Sequence, residues 1–293
     1  MPKDHYISQV HLRNFYSPDC NKYMYAIRKL DLSEFRTPSG AVCRIMDGST
    51  NAFVLNSREI EVFLKDIEPN YNSALEKLRT NKIDTDCIYT IAGFVAYVTT
   101  CSPTAMRIQT SPIEKTIEAA VAVMDKQGLL PPSPPILDNK SLTQLIQGDI
   151  IKVQVDPKYT QAIGIKQILR VVANLGNCRW EILHNNSETS MFFSSDFPVA
   201  LEKTSDPRVY NKVIPLAPDL AIRIKPDSSL DRKQLDLSFS RFSYRNCKIN
   251  HKKIVKLNRL IVRCAEDLIF YNNDFSWVKR FVDKNRHYRI EPQ

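Results

Sequence analysis

The sequence predicts an α+β fold: short strands at the N-terminus, a helical middle, and a C-terminal antiparallel sheet packed with a long amphipathic helix. Three observations predict it. From Ile60 to Leu78 apolar residues keep helical spacing, and from Asp84 to Thr100 they fill almost the whole segment, as in helices packed against or inside a core. After Cys178 the pattern changes to short β-prone runs, Cys178–Leu183, Ser190–Phe193, Val209–Leu216 and Leu220–Ile224. Helical spacing then returns at Ile254, Leu257, Ile261, Cys264 and Leu268.

In chain order, His5 to Ile7 reads as extended and Ser8 as the cap of a short helix to about Phe15. Ser17-Pro18-Asp19 is a turn. Lys22–Leu30 alternates like a strand, with Tyr23, Tyr25 and Ile27 on one side. Ala41–Ile45 and Ala52–Leu55 are short strands around Asp47-Gly48. Ser57 suits the cap of the first long helix, which Pro69 kinks or splits near Lys65–Glu68. The second helix spans Asp84–Thr100, Ser102-Pro103 ends it, and a third spans Pro112–Lys126. Gly128–Pro135, rich in proline, is an extended surface crossing. Leu142–Val155 and Tyr159–Leu175 read as helices, and Asn185-Asn186-Ser187 as a hairpin turn. Asp227–Ser243 reads as loop, and Asn250–Tyr271 as the last helix before a basic tail containing Trp277. The expectation is one domain over residues 1–293, with any sub-division at the Pro-rich crossing 128–138.

Composition narrows the function classes. With 7 glycines and neither G-x-G-x-x-G nor G-x-x-x-x-G-K-[ST], the common phosphate loops are missing. Seven scattered cysteines without a C-x-x-C pair argue against a zinc ribbon or a disulfide framework, and point to reduced thiols and a cytoplasmic location. The N-terminus carries no apolar signal segment, and the longest apolar run, Ile88 to Val98, is too short to span a bilayer, so no membrane partner is expected. The net charge of +9 lies entirely in residues 201–293, which hold 20 Lys and Arg against 11 Asp and Glu. That surplus suits an acidic partner, nucleic acid among them, and is equally the mark of a solvated basic face.

Three places hold candidate functional residues. Asp196 follows a strand and precedes Phe197-Pro198, a position suited to a metal ligand or general base; it suits at least as well an aspartate that bonds local backbone. Glu61 and Glu68, seven apart, flank one side of an apolar stripe; they could join a divalent cation or simply be solvated. On the last helix Lys252, Lys256, Arg259 and Arg263 fall within about 60° at 100° per residue, a basic stripe about 16 Å long. Arg232, Lys233, Arg241, Arg245 and Lys248 precede it, interleaved with Phe239, Phe242 and Tyr244, as a single-stranded nucleic acid groove requires; such aromatics also serve as core anchors. Asn258 borders the apolar face and could hydrogen-bond into the interior. No H-E-x-x-H or G-x-S-x-G occurs, so a serine or cysteine nucleophile is unsupported.

The opening run His5-Tyr6-x-x-Gln9-x-x-Leu12-Arg13-x-Phe15 resembles the start of the bacterial family known as domain of unknown function 4238. Trp180-x-Ile182-Leu183, Phe193-x-Ser195-Asp196-x-Pro198, Pro215-Leu216-x-Pro218 and Leu257-Asn258 with Ala265 resemble its later motifs in order. Ser8 and Phe197 depart from the family's usual proline and asparagine. The family often has a glutamine and an arginine before a proline in the middle helix, where this chain reads Tyr97-Val98-Thr99-Thr100-Cys101-Ser102-Pro103; if that arginine is needed for activity, this member is altered. The resemblance implies a shared role for His5, Gln9 and Asp196, and no particular chemistry. The leading expectation is a metal-dependent hydrolase of nucleic acid or another phosphate ester. His5, Gln9 and Asp196 would be catalytic, and His5, Glu61, Glu68 and Asp196 would hold a divalent ion such as Mn²⁺, Fe²⁺ or Zn²⁺. The alternative is a non-catalytic binding module for nucleic acid or protein that uses the basic helix.

Overall fold

A computed structural model describes residues 3–131, 134–187, 189–230 and 235–291. The chain opens with β1 (Lys3–His5), α1 (Gln9–Arg13), β2 (Met24–Arg28), β3 (Glu34–Thr37) and β4 (Arg44–Met46). A helical middle follows: α2 (Glu59–Ile67), α3 (Tyr71–Arg79), α4 (Thr85–Cys101), α5 (Pro103–Lys126), α6 (Leu142–Gln147), α7 (Pro157–Lys166) and α8 (Ile168–Gly176). The last part holds β5 (Arg179–Asn185), β6 (Ser194–Ser195), β7 (Ala200–Lys203), β8 (Tyr210–Ala217), β9 (Leu220–Lys225), β10 (Ser243–Ile249), α9 (His251–Cys264), β11 (Leu268–Tyr271) and α10 (Val278–Asp283). The architecture is mixed α+β.

β1 pairs antiparallel with β4. A five-stranded sheet runs β10-β5-β9-β8-β7, and a four-stranded one β3-β2-β11-β6. Among the described residues every pairing is antiparallel except β10 with β5. The four-stranded sheet joins strands from both ends of the chain. α4 is buried nearly all round, as its apolar run predicts, and packs on α3 and α8. Asp84 caps it by accepting from the Cys87 N–H at 2.9 Å.

Several local expectations are corrected. Pro69 does separate α2 from α3, but Arg58, not Ser57, occupies the N-cap of α2. Ser102 ends α4 and also caps α5, whose first residue is Pro103, so α5 starts nine residues before Pro112; proline is well suited to a first helical position. Gly148 stops α6 early, and Tyr159–Leu175 is divided between α7 and α8. Residues 52–55 form no strand. The hairpin at Asn185–Ser187 does not form: Asn185 Nδ2 instead donates to the Ser190 carbonyl at 2.8 Å, and the chain leaves for the other sheet as β6. The last helix stops at Cys264, and Leu268–Tyr271, β-prone by composition, becomes an inner strand.

At the centre lies His11, wholly buried. Its Nδ1 pairs with the Tyr71 hydroxyl and its Nε2 with Ser194 Oγ, each at 2.8 Å. Its ring stacks on Phe94 with centroids 4.7 Å apart. Three helices and β6 are thereby joined through one imidazole. Burial lowers its pKa to about 3, so the ring is neutral in the folded protein.

The sign of the resulting pH dependence follows. The unfolded chain takes up a proton near the ordinary pKa of 6.5, before the folded chain does. The stabilisation by neutral His11 is therefore complete above that pH and is lost as pH falls from 6.5 toward 3. Between pH 7 and pH 5 the wild type should lose about 2 kcal/mol more unfolding free energy than His11→Gln. Urea titrations of both proteins at the two pH values measure this difference; equal losses would show that His11 is not buried neutral.

Candidate functional site

The opening motif builds one wall of a cleft. β1 is fixed through its pairing with β4, through the Tyr97 hydroxyl donating to the His5 carbonyl, and through the Tyr6 N–H donating to the Cys43 carbonyl at 2.9 Å. α1 then presents Gln9 and Arg13 one turn apart. α2 supplies the opposite wall with Glu61, Leu64 and Lys65, and its C-cap with Glu68. The space between measures ≈ 760 Å³, within the range of small-ligand pockets. Gln9 Oε1 accepts from Arg13 Nη2 and from Ser39 Oγ, both at 3.3 Å. Ser8 occupies the N-cap of α1 but makes no capping bond; its hydroxyl donates to Glu68 Oε1 at 2.6 Å and ties the two walls together. Arg58 holds Glu61 with two bonds, Nε to Oε2 at 2.7 Å and Nη2 to Oε1. Asp4 Oδ2 accepts the Ser49 N–H at 3.0 Å. His5 Nδ1 is buried without a hydrogen-bond partner among the described residues. Burial first, and Arg44 second, lower the His5 pKa.

Asp196 stands elsewhere. Only 3% of it is exposed. Its Oδ1 accepts the Glu266 N–H at 2.9 Å, and its Oδ2 accepts those of Asp267 and Leu268 at 2.8 and 2.9 Å. Burial raises its pKa to about 6, against the pull of the Leu268 and Asp267 donors. These bonds close the turn between α9 and β11, the backbone-binding alternative for this residue. The structure thus brings His5, Gln9, Glu61 and Glu68 to one cleft, and Asp196 is not among its lining residues. Among the described residues no three His, Cys, Asp or Glu side chains are grouped to hold a metal ion. The four-ligand set of His5, Glu61, Glu68 and Asp196 therefore does not assemble.

On α9, Asn250 accepts the Lys253 N–H and starts the helix. Ile254, Leu257 and Ile261 are buried, while Lys252, Lys256 and Arg259 are exposed on the other side. These three form no ion pair among the described residues. Arg263 departs from the expected stripe: its guanidinium lies 4.1 Å from the Tyr288 ring centroid, and its Nε donates to Asn285 Oδ1 at 3.3 Å. The preceding aromatic and basic run is largely committed as well. Phe239 is buried and Phe242 meets Trp180 edge-on. Arg241 pairs with Asp227, and Arg245 pairs with Glu181. Arg232 and Lys233 lie outside the described residues.

A family model described as "Protein of unknown function (DUF4238)" matches residues 3–275. The chain belongs to that family. No curated protein matches it, and no solved structure matches it. In this DUF4238 chain the opening motif divides cleanly. Leu12 and Phe15 are in the core, whereas His5, Gln9 and Arg13 line the cleft. Of the later motifs, Asn258 bonds into the interior: its Oδ1 accepts the Phe193 N–H at 3.0 Å and its Nδ2 donates to the Met191 carbonyl at 2.7 Å. Within the Tyr97–Pro103 stretch, Cys101 is buried, its thiol pushed up to about 12 by burial. Lys158 reaches the same region and donates to the Asp47 and Thr50 carbonyls, the latter at 2.9 Å.

Sequence reasoning missed Lys3, Arg13 and Lys65 as cleft residues. The spacing carried the signal: Lys3 alternates with His5 on a strand, Arg13 lies four residues after Gln9, and Lys65 four after Glu61.

Replacing Asp196 with asparagine presents an amide N–H₂ where the carboxylate accepts backbone donors. Asp196→Asn should lower unfolding free energy by about 2 kcal/mol, read by urea denaturation. Nucleic-acid affinity should stay at the wild-type value. Unchanged stability would contradict the turn-closing role.

Proposed function

We propose that this protein binds nucleic acid without acting on it, and that the exposed face of α9 holds backbone phosphates. The observation that carries this reading is the row Lys252, Lys256 and Arg259, exposed and without carboxylate partners among the described residues. Their spacing covers about 10 Å along the helix, enough to follow a phosphate backbone. Lys248 and Lys253 are exposed beside them and extend the positive field. Tyr244, 37% exposed and stacked on Phe242, offers a ring nearby in sequence on β10. Charge of this kind gives affinity with little sequence preference. The hydrolase reading has weaker support, because the carboxylate of Asp196 is buried, accepts three backbone N–H groups and is not part of the cleft lining.

Fluorescence anisotropy with a single-stranded oligonucleotide over a salt series tests the proposal. Affinity of the wild type should fall steeply with salt. Lys252→Gln, Lys256→Gln and Arg259→Gln combined should fold normally and reduce the slope of log K against log salt by about 2, the value for three lost phosphate contacts on a single strand. No binding by the wild type at low salt, or an unchanged slope in the triple variant, would overturn it.

A further inference from the structure

We infer that the cleft between β1, α1 and α2 binds a phosphate monoester, with Arg13, Lys65 and Lys3 contributing charge and Gln9 contributing hydrogen bonds. The inference starts from which groups in the cleft are already engaged. Each carboxylate has at least one oxygen engaged: Asp4 Oδ2 by the Ser49 N–H, Glu61 by Arg58, and Glu68 Oε1 by the Ser8 hydroxyl. The cations are not engaged in this way. Lys3 and Lys65 make no side-chain bond among the described residues, and Arg13 touches only Gln9, through one of its nitrogens. Unpaired cations in a lining offer donors to an acceptor-rich ligand.

Charge agrees with the hydrogen-bond inventory. The lining holds Lys3, Arg13 and Lys65 against Asp4, Glu61 and Glu68, and Arg58 neutralises Glu61 from outside it, which leaves the cations in excess by one. That balance has the sign that attracts a phosphate monoester, an anion at neutral pH. Arg13 brings a planar fork and Lys65 a mobile point charge, the two ways proteins contact phosphate oxygens. Gln9 is oriented for the task. Its Oε1 accepts from both Arg13 and Ser39, which leaves both hydrogens of its amide nitrogen for a ligand. Ser39 is itself held by the Tyr16 hydroxyl, which accepts the Ser39 N–H at 2.9 Å. His5 lines the cleft beside Gln9 and is half-buried there. The volume of ≈ 760 Å³ has room for more than inorganic phosphate. This site is separate from the α9 face, and neither reading depends on the other.

Isothermal titration calorimetry with adenosine 5′-monophosphate, with adenosine as the control, tests the inference. The wild type should bind the monophosphate and not adenosine. Arg13→Gln combined with Lys65→Gln should weaken it at least ten-fold; both side chains are exposed, so the melting temperature should not move. Lys65→Glu alone should give a loss of the same sign if the double variant is unstable. The α9 triple variant should bind the monophosphate as the wild type does, which separates failure here from failure of the nucleic-acid reading. A second arm compares one oligonucleotide with and without a 5′-phosphate. Preference for the phosphorylated end that disappears in the Arg13/Lys65 variant assigns the monoester to nucleic-acid ends, and no preference alongside monophosphate binding assigns it to a free ligand. No wild-type binding of the monophosphate, or equal binding by the cleft variants, would overturn the inference.

Discussion

The turn held by Asp196 is the constraint on which both ends of the chain depend. α9 would continue if local pattern alone decided, since Leu268 keeps its helical spacing. Instead the carboxylate takes the N–H groups of Glu266, Asp267 and Leu268, and the Asp196 N–H donates back to the Leu268 carbonyl at 3.1 Å. The chain is turned out of the helix and set as β11 between β2 and β6. Lys29 closes the other side: its ammonium donates to the Ala265 and Tyr288 carbonyls at 2.6 and 3.0 Å. A buried carboxylate and a buried ammonium so close to one turn each temper the desolvation cost of the other, which is how charged groups persist in an interior. Burial lowers the Lys29 pKa, and Asp196 acts in the opposite direction.

His11 and Asn258 extend the same logic. Each is fully buried and polar, and each has its hydrogen-bonding groups matched by residues distant in sequence. A polar side chain in that position is costly unless its partners are in place, so it disfavours other packings. His11 fixes α1 against α3, α4 and β6, and α1 in turn aims Gln9 and Arg13 at the cleft. Asn258 fixes α9 against the 191–193 segment, and so fixes which side of α9 faces outward. The two candidate surfaces are therefore oriented by buried polar contacts beneath them.

This explains what the sequence made legible and what it hid. Long apolar periodicities were readable, because α4 and α9 bury faces determined by their own spacing. The Pro69 break and the β8–β9 pair were readable for the same local reason. The end of α9, the missing 185–187 hairpin and strands β3, β7 and β10 were not, since each is decided by a partner far along the chain. Asp196 illustrates the limit: its residue type and position suited a catalytic carboxylate and a turn-closing one alike, and only the N–H groups of 266–268 distinguish them. His5, Gln9, Glu61 and Glu68 could be named singly, whereas their meeting in a cleft follows from β1 pairing with β4 and from the Ser8–Glu68 bond.

The positive charge of the last third divides by the same physical criterion. Glu181, almost wholly buried, draws in Arg223, Lys225 and Arg245. Burial works against its charge, yet the bonds from these three cations hold its pKa at about 2. Those cations stitch β5 to β9 and β10, and their fields are spent on one carboxylate. Arg263 is likewise spent on Tyr288 and Asn285. Among the described residues, the cations that no internal acid claims include Lys252, Lys256 and Arg259 on α9 and Lys3, Arg13 and Lys65 around the cleft. Net charge alone would have drawn attention only to the C-terminal third. Sorting each cation by its partner draws attention to the cleft as well, within residues 1–200, whose formal charge sums to zero.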